Sequence, residues 1–405
     1  MFKRAVLAFS LLLCSSAFGA EEPQWLKEAR ARESKSLNPV ALKSKDGWFK
    51  VLTPGKLVGT IEKVEGSYSV ELDIGGDANV YCEVYPKGVD LANALRVTLG
   101  NAITNIESTQ GKIEVRALEG TDAGAYGTVP YITLTWLYRV ASDKGPLVGA
   151  LKQFVMEKDK LGVYCAHNDL GFTRTFTTIT RAFADSLETQ EPAATPHYAE
   201  ISTVSLSGAR MGVAVSTLER DSEGDIKARQ MMAMVIATDD GAVQSHDSTQ
   251  VDWVRHDATL INAAITEVSN GEIANDLGLK YEEGTWIVEG EVQGKAVKTS
   301  LPKDSQPATW VAQAQQLRAL LTGPDAVGRE HTMAIWLAEN PEKLTKVKTK
   351  ILAKQGDKHY TARGEIGSLA ADLTLDKSSG MASAADVKMG PLKLKIERVH
   401  VSGAF

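Results

Sequence analysis

Cysteine is scarce in this chain, three residues among 405, and one of the three lies within the first twenty. That excludes a multiply bridged small scaffold and a thiolate metal ribbon. Beyond the N-terminal segment no stretch approaches the ~20 consecutive apolar residues that cross a bilayer as a helix. Clustered lysine and arginine are absent as well, and the formal net charge is −6. Nucleic acid and anionic lipid surfaces are therefore not expected partners. Short catalytic signatures are missing too: Gly-x-Ser-x-Gly, His-Glu-x-x-His, Walker-type phosphate loops and Gly-x-Gly-x-x-Gly do not occur. The sequence nominates no catalytic residue, no cofactor and no metal ligand, although an active site assembled from scattered residues needs no short motif.

What is present begins at the N-terminus. Lys3 and Arg4, the apolar run 5–13 and the small residues around Ala17, Gly19 and Ala20 have the layout of a secretory signal peptide. Leu11-Leu12-Leu13-Cys14 has the outline of a lipidation site, but Leu13 is too large for the position before a modified cysteine. Residues 1–20 are thus expected to be removed, leaving a periplasmic or secreted protein. Loss of Lys3 and Arg4 would carry the net charge from −6 to −8.

Cys82 and Cys165 remain, each ending a Val-Tyr-Cys triplet in a strand-like run. An even pair in an oxidising compartment is expected to form a disulfide. Two free buried thiols are the alternative; redox chemistry lacks both a Cys-x-x-Cys spacing and a basic setting.

The rest reads as an α+β chain in two units. Residues 21–39 form a charged leader in which Pro23 opens a short helix carrying Trp25 and Leu26. Residues 40–187 read as a mixed sheet with two packed helices. Strand-like runs at 49–52, 57–64, 68–73 and 79–85 precede a helix capped by Asp90, with Leu91, Leu95, Leu99 and Ile106 at helical spacing. Four further strands follow, then a closing helix with Phe172, Phe176, Ile179, Phe183 and Leu187 on one face. This element order resembles the PsbP/Mog1 group of α/β folds, mostly non-catalytic binding and accessory domains, and the resemblance implies an accessory role. Residues 188–196, with Pro192 and Pro196 and no large apolar side chain, are the expected linker.

Residues 197–405 are dominated by hairpin punctuation such as Asn270-Gly271, Gln293-Gly294 and Ser379-Gly380. Val347, Thr349 and Ile351 alternate with three lysines, and Leu392, Leu394 and Ile396 repeat the pattern. Val399 and Val401 then reverse it, which predicts a bulge near Glu397-Arg398. One helix carries Trp310, Ala314, Leu317 and Leu321 in a stripe, with Asp304 or Ser305 as its cap and Gly323-Pro324 as its end. The expected second domain is therefore a set of antiparallel β hairpins curled around one helix. It is similar in general plan to carriers of the LolA type, which hold acyl chains in an open β half-barrel.

Polar constellations are few. Ser245 to Asp257 contains two His-Asp pairs and Asp252, an imidazole and carboxylate set of the kind that binds zinc. On a strand, however, Asp252 and His256 stand roughly 13 Å apart, so solvated histidines near a turn, with Trp253 packed beneath, are expected instead. Asn168 or Asp169 is expected to cap the closing helix of the first unit, with His167 in a loop. Ser300-Leu-Pro-Lys303 matches a Ser-x-x-Lys string but sits at a strand end. Trp253, Trp286, Trp310 and Trp336 are expected in the core, whereas Met232, Met234 and Ile236 share a strand face suited to core or ligand. The expected function is a non-enzymatic accessory or binding protein of the cell envelope. A carrier of an apolar ligand in the second unit and an enzyme with a dispersed site are the alternatives. The expected partners are an envelope protein or an apolar small molecule.

Overall fold

The computed structural model describes residues 23–141, 147–190, 195–238 and 241–405. The expected signal peptide and the middle of the 188–196 segment lie outside the described residues. Four helices are described: α1 (Gln24–Arg30), α2 (Leu91–Gln110), α3 (Thr173–Ser186) and α4 (Trp310–Thr322). No described helix is long and apolar enough to cross a membrane.

Among the described residues every strand pairing is antiparallel, so the first unit's sheet is not mixed as expected. The reason lies in where α2 delivers the chain. Ala78–Tyr85 and Ile113–Tyr126, the strands on either side of α2, are separated in the sheet by Leu161–Asn168, Leu147–Lys158 and Val129–Val140. The helix thus crosses to the far edge, and hairpins meander back until Leu161–Asn168 meets Ala78–Tyr85. At that meeting Cys82 and Cys165 are direct partners, and a disulfide joins them. A small sheet of Val40–Lys43, Phe49–Thr53 and Glu188–Thr189 stands beside α3, so the start of the expected linker is a strand.

The two helices do not share a face. α3 covers one side of the sheet, burying Phe172, Phe176, Ile179 and Phe183 against Val70, Val80 and Cys82. α2 occupies the other side and is itself covered by the second sheet. Leu91, Leu95 and Leu99 meet Ile132 and Val155 below and Ile201, Val213, Met231 and Ala233 above, in one continuous core. The half-buried pair Arg229–Glu157, 2.6 Å, fastens the rim of this junction.

Helix caps come from distant residues. Asp90 precedes α2 but makes no side-chain cap bond; the Asp247 carboxylate accepts from the amides of Ala92 (2.9 Å) and Asn93 (2.8 Å) instead. Neither Asn168 nor Asp169 caps α3, because the turn places Phe172, with φ of 61°, at that position. Glu33 of the leader supplies the acceptors, taking the amides of Arg174 and Thr175. α4 is capped by Thr309 rather than Asp304 or Ser305. Its buried stripe is Val311, Ala314, Leu317 and Leu321, with Trp310 turned half outward.

The second unit is one sheet of fourteen strands. Hairpins run from Tyr198–Leu206 out to the edge strand Lys295–Ser300; α4 then carries the chain across to the opposite edge, Glu330–Ile335. Five more strands return until Leu392–Gly403 pairs with Tyr198–Leu206. α4 joins both halves of the sheet: Val311 shares one buried cluster with Ile226 and Ala228, and Leu317 and Leu321 share another with Ile351, Tyr360 and Ala362. Gly380, with φ of +77°, lets a turn reach this helix: a Cβ there would stand 2.0 Å from the Ala314 carbonyl oxygen. The bulge falls at Val399, one residue beyond the expected pair, since Ile201 and Ser202 oppose His400 and Arg398.

Candidate ligand-binding face

Residues directly opposite on neighbouring strands share a face, so the register traces the inner surface of the curl. One row runs Ile351, Ala362, Leu373, Ala385, Ile396, Val204, Gly212 and Met234 before ending at His246. The next row toward the mouth holds Thr349, Gly364, Ala371, Val387, Leu394 and Leu206. At the rim Ile366 pairs with Leu369 and Met389 with Leu392. Exposure grows along this direction: Ala362 is 2% exposed, Leu373, Val387 and Leu394 are half-buried, and Leu369 is 52% exposed. Apart from Thr349 and the terminal His246 the face is apolar, and it is rich in alanine.

Along the same strands, two residues beyond the first row, lies a cavity of about 260 Å³. Ser216, Gln230, Met232, Ser248, Gln250 and Glu267 line it from the sheet, and residues 337–339 close the far side. Glu267 accepts from the Asn275 amide, and Gln250 donates to Asp252 at 2.9 Å. Burial pushes the Asp252 carboxyl up to about 6, with the Gln250 bond opposing the shift. Arg398 shares the cavity's row through Ser202 and Ala214. Its guanidinium is bound to Glu200 at 2.9 Å and to Asp376, and the Tyr198 hydroxyl also donates to Glu200.

The sequence-nominated residues are dispersed. Of the Ser245–Asp257 segment, His246 ends the apolar row with Nδ1 3.2 Å from Ser269 Oγ, while His256 and Asp257 are exposed in a turn. Trp253 is 37% exposed with the Lys227 ammonium 5.6 Å from its ring, so it is not packed beneath a turn. Its strand position places it on the outer face, opposite Lys227. Trp286 and Trp336 are core residues, and Trp310 stacks obliquely near Phe405. Met232, Met234 and Ile236 do share the inner face, while Met231 points the other way into the α2 core. Among the described residues no group of three or more His, Cys, Asp or Glu is placed to hold a metal ion. The expectation for His167 also changes: it is a buried strand residue, Nδ1 2.8 Å from the Asn79 carbonyl, and not a loop residue. On the neighbouring strand His167 pairs directly with Lys152.

Asp247 carries a pH dependence. Burial pushes its carboxyl up to about 7, against the two amides of α2 that hold it down. An acid whose pKa rises on folding opposes the folded state when ionised, so stability grows as pH falls from about 7 toward the unfolded value of about 4. Asp252 acts with the same sign. Asp247→Asn, which keeps a cap acceptor, is therefore expected to gain melting temperature relative to the wild type at about pH 8 and to lose that advantage at about pH 5, so that its pH slope differs from the wild type's. Thermal unfolding of both proteins at the two pH values checks it; an unchanged slope in the variant refutes the assignment.

No family model and no curated protein matches the chain. Among solved structures, a β-barrel-like protein of a domain of unknown function (DUF1849) from Brucella abortus is similar at 11% identity and TM-score 0.40, covering 51% of this chain and 96% of its own. The solution structure of a cyanobacterial PsbP from Synechocystis is similar at 14% identity and TM-score 0.25, covering 38% of this chain and 94% of its own. A DUF1089 family protein from Pseudomonas aeruginosa is similar at 14% identity and TM-score 0.23, covering 48% of this chain and 92% of its own. All three scores lie below 0.5, so none of these likenesses assigns the chain to a family.

Proposed function

We propose that this chain is a non-enzymatic binding protein of the cell envelope whose second unit takes up the hydrocarbon part of an amphiphile. The observation that carries the reading is the gradient on the inner face, from buried Ile351 and Ala362 to the exposed rim of Ile366, Leu369, Met389 and Leu392. A face built only as core would be covered along its whole length; a solvent face would be polar. The disulfide between Cys82 and Cys165 suits the periplasm or the cell exterior. The first unit, with its PsbP-like element order, serves as the accessory module that fixes the curl through α2.

Burying about eight methylenes at ~0.8 kcal/mol each gives roughly 6 kcal/mol, a dissociation constant of roughly 10–100 µM. Decanol is expected to displace the fluorescent probe N-phenyl-1-naphthylamine from one saturable site in that range. Ala371→Phe, which fills the middle of the second row, is expected to weaken decanol at least tenfold with little change in melting temperature. A probe that never saturates, or a variant that binds like the wild type, refutes the carrier.

A further inference from the structure

We propose that the 260 Å³ cavity is the head-group site of this carrier and that it selects a primary alkylammonium head over a carboxylate. The inference rests on the carrier reading for the position of the tail.

Geometry places head and tail together. Met232 of the cavity and Met234 of the first apolar row are two residues apart on one strand and share its inner face. Ala214 and Gly212 stand in the same relation on the neighbouring strand. A chain lying on Ile396, Val204 and Met234 therefore leads directly to Ser248, Gln230 and Glu267. Glu339, which is exposed, marks where the cavity reaches solvent.

The lining defines the chemistry of the head. Among the described residues it contains two carboxylates, Glu267 and Glu339, and the amides of Gln230 and Gln250. The hydroxyls of Ser216 and Ser248 complete the polar set, and no lysine, arginine or histidine joins it. The basic groups that face the curl nearby already have partners or are disfavoured as cations by burial. Arg398 is held by Glu200 and Asp376. His246 is bonded to Ser269. His331, opposite Thr349 at the end of the second row, is pushed down by burial and keeps its proton-free form more readily. A carboxylate head would thus meet two like charges and only neutral donors, with no cationic partner, whereas an ammonium would find charge-assisted acceptors on several sides.

Calorimetric titration of the whole mature protein with decylammonium, decanol and decanoate at neutral pH tests the proposal. Decylammonium is expected to bind about tenfold or more tightly than decanol, with decanoate weakest, since hydrogen bonds to charged groups exceed neutral ones. Replacing Glu267→Gln and Glu339→Gln together is expected to remove the preference for decylammonium over decanol, with an unchanged melting temperature showing that the variant is folded. Equal binding of the three probes, or a preference for decanoate, overturns the head-group proposal and leaves the carrier standing. Absence of binding by all three overturns both.

Discussion

Replacing Cys82 and Cys165 by alanine is expected to cost the fold about 4–5 kcal/mol. The bond closes a loop with a sequence separation of 83 residues, and closing a loop of that length restricts the unfolded chain strongly. It also sits where the sheet depends on a long-range meeting. Ala78–Tyr85 enters α2 and the chain returns beside it only after three further strands, so no local hairpin holds this pair in register. Both sulfurs lie in the core that α3 covers, where no water replaces what is lost. Urea unfolding of the wild type, with and without reductant, and of the double variant measures the effect. Coincident midpoints in oxidised and reduced wild type would show two free thiols and remove one support for an oxidising compartment.

Local periodicity was legible in the sequence; what joins the pieces was not. The helical spacing of Leu91, Leu95 and Leu99 announces α2 but cannot say that the helix is buried on two sides, because both partners of a double interface ask for the same apolar stripe. Asp247 reads as a member of a His-Asp pair and serves as a cap for a helix some 150 residues earlier in the chain. Capping by a remote carboxylate, Asp247 for α2 and Glu33 for α3, leaves no trace in local sequence, which is why Asp90 and Asn168 or Asp169 read as caps. The α4 cap differs, since Thr309 is local and simply lies closer to the helix than Asp304. On the inner face the alternation of Leu369, Ala371, Leu373 and Leu375 stands in the sequence to be read. The exposure of that face does not, since whether an apolar strand face is covered depends on how far α4 extends across it. Gln230, Gln250 and Glu267 gave no signal at all: each is an ordinary polar residue until the curl sets the three around one cavity.

Arg398→Met is the other substitution with a large expected effect, a loss of about 3–5 kcal/mol, because it strands two buried carboxylates. The Arg398 side chain is 11% exposed and its partners Glu200 and Asp376 are 7% and 18% exposed. Burial alone would push the Asp376 carboxyl up, but the Ser378 bonds and Arg398 outweigh it and hold it below the ordinary range. Without the guanidinium, Glu200 keeps only the Tyr198 hydroxyl. Adding Glu200→Gln and Asp376→Asn to the Arg398→Met background is expected to restore most of the loss, since the cost lies in unpaired charge and not in the missing contacts. Denaturant midpoints of the single and triple variants separate the two accounts: an irreparable triple variant would assign the loss to side-chain fit. The network lies in the same inner row as the cavity, so its neutral version also isolates what Glu267 and Glu339 contribute to the head group. If the triple variant still prefers decylammonium over decanoate, the preference belongs to the cavity lining; if the preference collapses, it belonged to the field of the buried triad.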